Sequence, residues 1–227
     1  MNPEEIPNHR TRVAAERREK TRARLLESAL HVFSSKGPHA VIDDVIAHAG
    51  MARGSFYNYF RTNEELLAAL AAELNNELIR AIDPLVQLLA DPAERVARGA
   101  RMQLHAITRF PHLGAFISRL PFPTANSSLL GLRFLSRDIA QGITAERFRQ
   151  IQPRVAIDLV AGVVLSAAYA LACETLQPDY PEQSVCQMLQ GLGVDGTEAQ
   201  RIVALPLPEL TLPGSAILLR TGHDPAE

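Results

Sequence analysis

Residues 41–66 hold two short segments of helical pattern with a glycine between them, and this arrangement restricts the fold more than any other feature of the chain. The first segment places apolar residues at helical spacing and ends at Gly50. Glycine reaches left-handed backbone angles without a Cβ clash, so it suits a tight turn between two helices. The second segment begins at Arg53 and places Phe56 and Phe60 four residues apart, on one face. Two helices joined by such a turn form a helix-turn-helix.

The opposite face of the second segment carries the candidate DNA contacts. A recognition helix presents its N-terminal residues to the major groove, where arginine can bond guanine through two contacts at once. We therefore predict that Arg53 and Ser55 reach base edges, with a phosphate contact alone as the alternative for Arg53. The remaining outward residues, which suit phosphates and base edges, are Tyr57, Asn58 and Tyr59.

A basic tract precedes the first of these helices. Between His9 and Arg24 it holds seven Lys and Arg residues, among them Arg18 and Arg22, and only two glutamates. Its position next to a helix-turn-helix predicts an arm that lies along the phosphate backbone or in the minor groove. A solvated helix face is the alternative.

The sequence A-G-M-A-R-G-S-F-Y-N-Y-F-R-T-N-E-E-L, residues 49–66, resembles the helix-turn-helix signature of the TetR family of transcriptional regulators. The resemblance extends over residues 22–70. It implies that Tyr57 and Tyr59 contact the DNA backbone, and that Asn63 stands where the family usually has a phosphate-binding lysine. Ala52 stands where the family often has a Ser or Thr cap.

The same resemblance implies an all-α fold, a ligand pocket among the central helices and a dimer built from the last two long helices. The residues themselves agree with an all-α fold, because we find neither strand alternation nor an internal repeat. We predict a disordered arm, a helix-turn-helix DNA-binding domain, a helical domain for ligand binding and dimerisation, and an extended tail; their ranges are 1–12, 13–62, 63–204 and 205–227.

Helix-start signals divide the larger domain. A capping box at Thr62 and Glu65 opens a long helix that Pro84 should kink or divide, and Asp91 and Asp195 cap later helices. The further helices are predicted at 92–109, 114–120, 127–150, 153–176, 181–191 and 195–204.

The helix 153–176 contains the most apolar run of the chain. The run 159–173 is shorter than the ~20 residues that cross a bilayer, so we predict no membrane span and a helix buried on most sides. Its many alanines and Gly162 would let a neighbouring helix pack closely. Because a helix-turn-helix reads two half-sites about one DNA turn apart, a homodimer is the expected active form.

Candidates for ligand contacts are the polar and aromatic residues of the middle helices, although ordinary core or surface roles are the alternative for each. Arginines 119, 133 and 137 would suit an acidic ligand, or are simply solvated. The ligand-binding candidates are Met102, His105, Phe110, Phe116, Arg133, Phe134 and Tyr169.

Motifs for catalysis, metal binding or phosphate binding are missing from the sequence, so we predict no enzyme, no metal and no cofactor. The net charge of −2 hides an asymmetry, since residues 1–63 carry +3 and the remainder −5. We predict a cytoplasmic regulator, a repressor that a small-molecule effector releases from a palindromic double-stranded DNA operator. The alternatives are a dimeric regulator without a ligand, and an all-α enzyme or scaffold with a vestigial helix-turn-helix.

Overall fold

The computed structural model describes residues 9–37, 40–118 and 130–220, and within these ranges every regular element is a helix. This confirms the all-α prediction. The helices are α1 (His9–Lys36), α2 (Ile42–Ala49), α3 (Arg53–Tyr57), α4 (Asn63–Val86), α5 (Pro92–Arg109), α6 (Pro111–Ile117), α7 (Leu130–Thr144), α8 (Pro153–Cys173), α9 (Tyr180–Gly191), α10 (Gly196–Val203) and α11 (Ile217–Arg220).

The chain forms two compact units, Met1–Leu70 and Ala71–Glu227. In the N-terminal unit, the apolar face of α1 packs on α2, and Phe56 of α3 is fully buried. Gly50 closes α2 at a φ of 58°, and its N–H donates to the carbonyl of Ala47. The turn therefore uses the left-handed conformation that the sequence predicts for this glycine.

Two N-terminal boundaries differ from the predicted ones. The helix α1 already begins at His9, so residues 9–12 of the predicted disordered arm are helical, while residues 1–8 lie outside the described part. An ion pair one turn apart, Arg12 with Glu16 at 3.6 Å, supports this first stretch. The compact unit also extends to Leu70 rather than residue 62, because Leu66 and Leu70 are fully buried.

The second unit is arranged around α5, which packs against α6, α7, α8, α9 and α10. Asp91 caps α5 by accepting from the N–H of Ala93 at 2.9 Å, and Asp195 caps α10 through the N–H groups of Thr197 and Glu198. Both caps were predicted from the sequence and are confirmed. Pro84 does not divide α4, which continues to Val86.

The predicted extended tail is only partly extended. The chain runs without a helix from Leu205 to Ala216, and α11 follows. Glu77 of α4 fixes the start of α11, because its carboxylate accepts from the N–H of Ile217 at 2.8 Å. Arg109 donates to the carbonyl of Leu210 at 2.8 Å. These long-range bonds hold the segment against the second unit, whereas residues 221–227 lie outside the described part.

The helix α8 is less covered than predicted. By length and composition it could cross a membrane, since it has 21 residues and a mean hydropathy of 2.1 in its most apolar window, of which 17% is buried. The expectation of a helix buried on most sides is therefore wrong for a single chain. One such helix is weak evidence for a membrane span, because an apolar helix face also serves to pack against protein.

Candidate nucleic-acid interface and ligand cavity

The recognition helix α3 has one buried and one exposed face. Phe56 is completely buried and Phe60 nearly so, and their rings lie 6.0 Å apart. These two rings anchor the helix to the N-terminal unit. Arg53, Tyr57 and Asn58 are consequently exposed, and Ser55 is half-buried. Three of the predicted contact residues are therefore accessible to solvent.

Arg53 makes only a loose ion pair. Its Nη1 lies 3.4 Å from the carboxylate of Asp43 on α2, and the two side chains are 65% and 61% exposed. A hydrogen bond with Tyr57, together with the nearby Asp43 charge, raises the pKa of Arg53. Exposed pairs of this kind add little stability, so a DNA phosphate or base edge can replace Asp43 at small cost.

A groove joins α1 to the residues that follow α3. Its walls include Arg17, Arg18 and Thr21 on one side and Asn58 and Tyr59 on the other. The guanidinium of Arg18 lies 6.0 Å from the centre of the Tyr59 ring. The basic tract and the recognition region therefore border the same groove, and its charged side chains are both arginines. Arg22, the other predicted arm residue, lies 5.9 Å from the Phe60 ring.

Two positions at the ends of this region lack a partner. Ala52 precedes α3 with extended backbone angles and no side-chain cap. The Oδ1 atom of Asn63 is buried and has no hydrogen-bond partner among the described residues.

Thr62 accepts from the N–H of Glu65 at 3.2 Å, while Glu65 accepts from the N–H of Arg61 at 2.7 Å. The predicted capping box thus reaches one residue further back than expected.

A cavity of about 150 Å³ lies within the second unit, among α4, α5, α7 and α8. Its polar lining comprises Asn75, Asp83, Arg95, Gln103 and Asp138. The other lining residues are apolar or glycine: Ile79, Ile82, Val86, Val96, Gly99, Ala100, Gly131, Leu132, Phe134, Leu135, Val160, Ala161, Val164 and Leu165. A mostly apolar hollow with a few polar groups is typical of small-molecule sites.

The charged lining residues are neutralised by one another and by Arg137, which does not line the cavity. Arg95 donates through Nε to Asp138 at 2.9 Å and through Nη1 to two backbone carbonyls, and its Nη2 donates to Gln141. Arg137 bonds both Asp138 and Asp83, which raises its pKa. Two arginines and two aspartates therefore form a closed network.

The amides of the lining differ in their use. Gln103 donates from Nε2 to the carbonyl of Gly99 at 3.2 Å. The Nδ2 of Asn75, by contrast, is buried and has no hydrogen-bond partner in the described structure. A buried donor without an acceptor costs about 1–3 kcal/mol, so an acceptor that enters the cavity would be stabilised there.

A stripe of exposed or half-exposed residues runs along α8, and we call it the α8 stripe. Its members are separated by alternating steps of four and three residues: Val155, Leu159, Gly162, Ser166, Tyr169 and Cys173. This is the spacing of a helix face that packs along a second helix. The glycine and serine at its centre would permit a close approach.

Two family models match the chain. The model described as bacterial regulatory proteins, tetR family, matches residues 25–70, and the model described as tetracyclin repressor-like, C-terminal domain, matches residues 91–205. The chain belongs to the TetR family. The first match contains the helix-turn-helix, and the second contains α5 to α10.

Curated relatives match over short parts of this TetR-family chain. The uncharacterized HTH-type transcriptional regulator TtgW of Pseudomonas putida is 38% identical over 68 residues, which is 30% of this chain and 50% of that protein. YvdT of Bacillus subtilis, also an uncharacterized HTH-type transcriptional regulator, is 40% identical over 52 residues, 22% of this chain and 27% of that protein. The chain therefore spans about half the length of TtgW and a smaller part of the length of YvdT.

Solved structures match over a larger part of the chain. RolR in complex with the ligand resorcinol is 27% identical, with a TM-score of 0.66, and the match covers 87% of this chain and 100% of RolR. A putative TetR-family regulator from Syntrophomonas wolfei is 22% identical with a TM-score of 0.60, covering 80% of this chain and 96% of that one. The second likeness supports the fold alone.

Among the predicted ligand-binding residues of this TetR-family chain, Phe134 lines the cavity and six lie elsewhere. Met102, Phe110 and Phe116 are buried in the core without reaching the cavity. His105 lies 2.9 Å from Glu182 on α9. The two remaining candidates are exposed: Arg133 on α7, and Tyr169 on the α8 stripe.

Sequence reasoning missed the polar lining residues, although a signal for them exists. Asp138 lies on the apolar face of α7, between Leu135 and Ile139, and a charge in that position needs an internal partner. Asn75 shares a helical stripe with Ile79 and Ile82 in the same way. Polar residues within apolar stripes, rather than aromatic residues, mark the cavity in the sequence.

Proposed function

We propose that this chain is a homodimeric transcriptional repressor that binds a palindromic double-stranded DNA operator through α3. A small-molecule effector bound in the cavity would release it. The observation that carries the proposal is the exposed face of Arg53, Tyr57 and Asn58, which two buried phenylalanines hold beside the basic surface of α1.

The loose pairing of Arg53 supports its role as a base-reading residue. Its guanidinium remains exposed and can form the two parallel bonds to guanine that a fully used arginine cannot. Arg18, Arg22, Tyr57 and Tyr59 would contact phosphate and sugar, while Ser55 and Asn58 remain candidates for either kind of contact. Asn63 would contribute less than the lysine usual in the family, because its amide is neutral and lacks the charge that attracts a phosphate.

The α8 stripe supports the homodimer. Six residues at alternating four- and three-residue steps give a continuous face of largely small or apolar side chains. A second copy of the same helix offers the same face, as a two-fold interface requires. A dimer also supplies the two recognition helices that an inverted repeat needs. Such a DNA-binding dimer would work in the cytoplasm rather than in a membrane.

The cavity supports the effector. It lies among four helices of the unit that matches the tetracyclin repressor-like C-terminal model, and RolR, similar over 87% of this chain, was solved with resorcinol. In this proposal, effector binding changes the relative population of two dimer conformations, of which one fits successive major grooves.

The test is selection of random duplex DNA by the purified full chain at about 150 mM salt, which suppresses non-specific phosphate binding. We expect enrichment of an inverted repeat. Arg53→Ala should then lower affinity for that repeat by about 10–100-fold and relax the preference for one base pair.

Arg149→Ala is the control, since this exposed arginine lies in the turn after α7 and its loss removes the same charge. Equal weakening by both variants would contradict a reading role for Arg53. If a folded dimer enriches no sequence, the alternative of an all-α enzyme or scaffold with a vestigial helix-turn-helix is favoured. If an operator is found but no compound releases it, the regulator without a ligand is favoured.

A further inference from the structure

We infer that the effector is an uncharged compound of about one ring, with a hydroxyl or carbonyl oxygen that accepts a hydrogen bond from Nδ2 of Asn75. This inference deepens the proposed function, since it takes the cavity of the second unit as the effector site. It rests on the size of the cavity, the saturation of its charges and the unused buried donor of Asn75.

The cavity volume matches a ligand of about one ring. An apolar cavity of about 150 Å³ is the size that accommodates benzene, and the present cavity has about this volume. The apolar lining favours a ligand whose ring is largely hydrocarbon.

The closed charge network excludes a charged ligand. An anion would need a free cation, yet Arg95 and Arg137 are both hydrogen-bonded to buried or half-buried carboxylates. A cation would need a free carboxylate, but Asp138 already accepts from both arginines, and Asp83, the other lining carboxylate, accepts from Arg137. In either case an ion pair of this network would have to be broken, and breaking the buried Arg95–Asp138 pair is strongly unfavourable.

The two other arginines considered for an acidic ligand do not change this balance. Arg133 is exposed and does not line the cavity, and Arg119 lies outside the described residues. The described lining of the cavity therefore carries no cation beyond the one already neutralised by Asp138.

Asn75 supplies the specific contact. Its Nδ2 is buried without a partner, whereas the amide nitrogen of Gln103 is used by the Gly99 carbonyl. Gly131 on α7 keeps the space beside Asn75 open, because a Cβ there would lie 3.8 Å from Nδ2 and 3.3 Å from Ile79. A ligand oxygen in this space would satisfy the donor, and a hydrocarbon of equal size would not.

Four ring compounds of similar size test these points: phenol, toluene, benzoate and benzylammonium. We would measure their binding to the full chain by isothermal titration calorimetry and by the shift of the melting temperature. Phenol should bind about tenfold more tightly than toluene, as one hydrogen bond to a buried donor predicts. Benzoate and benzylammonium should not bind.

Asn75→Leu removes the donor and nearly keeps the side-chain volume, so it should abolish the preference for phenol over toluene. Gln103→Leu is the matched control, because it removes another lining amide whose donor is already used, and it should keep the preference. A preference that persists in Asn75→Leu, or that disappears equally in Gln103→Leu, overturns the inference. Benzoate binding as tight as phenol binding also overturns it.

A variant that fills the cavity separates this inference from the proposed function. An added Cβ at Gly99 would meet Val86 at 3.6 Å, an ordinary contact, so Gly99→Leu directs a side chain into the space with little backbone strain. It should lose phenol binding and keep operator binding. A wild-type chain that selects an operator but binds none of the four probes overturns the inference and leaves the repressor proposal standing. Phenol binding through Asn75 without any selected operator supports the inference and removes the repressor proposal.

Discussion

Arginines serve opposite purposes in the two units of this chain. Arg53 in the N-terminal unit lies 3.4 Å from Asp43, and both side chains are largely exposed. Arg95 in the second unit lies 2.9 Å from Asp138, and these side chains are only 9% and 6% exposed. The first pair can exchange its partner for another anion, whereas the second is part of the folded core. Burial, rather than the presence of a carboxylate, decides whether an arginine remains available to a ligand.

The N-terminal caps of these helices also differ between the two units. The second unit closes α5 and α10 with the aspartates Asp91 and Asp195. The recognition helix α3 begins instead at Ala52, whose side chain cannot accept a hydrogen bond. These two aspartates thus stabilise helix ends in the second unit, whereas the N–H groups at the start of α3 have no side-chain cap.

The largest expected effect comes from breaking the buried pair. Arg95→Met should lower the free energy of unfolding by about 3 kcal/mol, because Asp138 would stay buried with one partner fewer. Urea denaturation measures this change. The control is Arg154→Met, which removes an exposed arginine also 2.9 Å from its carboxylate, with side chains 75% and 53% exposed. That control should leave stability unchanged, and equal effects would show that distance rather than burial sets the strength.

A smaller effect is expected from the basic surface. Arg18→Ala should weaken binding to all DNA sequences alike and reduce the slope of log affinity against log salt by about one. Arg53→Ala should instead change the sequence preference. Fluorescence anisotropy with operator and scrambled duplexes between about 50 and 200 mM salt distinguishes the two. A change of sequence preference in Arg18→Ala would place that residue at a base edge.

A cap added to the recognition helix should strengthen the N-terminal unit. Ala52 has the extended backbone angles of an N-cap residue, so Ala52→Ser should raise stability by about 0.5–1 kcal/mol. Thermal unfolding followed by circular dichroism measures the gain. The control is Ala47→Ser, an exposed position inside α2, where serine should give no gain. If Ala52→Ser gives no gain in stability, the start of α3 is already capped by another group.

The smallest effect concerns pH. The ring of His48 stacks on His31 at 4.5 Å, and burial together with the His31 charge holds the pKa of His48 below its ordinary value of 6.5. As pH falls, His48 is therefore protonated in the unfolded chain at a higher pH than in the folded chain. The stability linked to neutral His48 is complete above about pH 6.5 and decreases as pH falls below it. His48→Gln should flatten the change of melting temperature between about pH 7.5 and 5.5. An unchanged slope in the variant would remove His48 as its source.

The sequence predicts those features whose cause lies within a few residues. The turn at Gly50, the buried face of Phe56 and the cap at Asp91 each depend on a local pattern, and the structure contains all three. Pro111 shows a limit of the same reasoning. It was predicted only to stop α5, yet it also occupies the first position of α6, where its missing N–H costs nothing.

The cavity could not be predicted in this way, because its lining comes from four helices between Asn75 and Leu165. The pair Arg95 and Asp138 is separated by 43 residues. Local spacing shows that Phe134 is on an apolar face, but it does not show which apolar faces enclose empty space. The exposure of α8 was missed for a related reason, since composition indicates an apolar helix and not what covers it.

The α8 stripe would make regulation depend on the concentration of the protein. If a second copy covers the stripe, its burial depends on the meeting of two chains, and the folded dimer is favoured by mass action. Where most chains are dissociated, the number of DNA-binding dimers rises with the square of the chain concentration. Occupancy of the operator would then rise more steeply than linearly with gene dosage, in addition to any response to the effector.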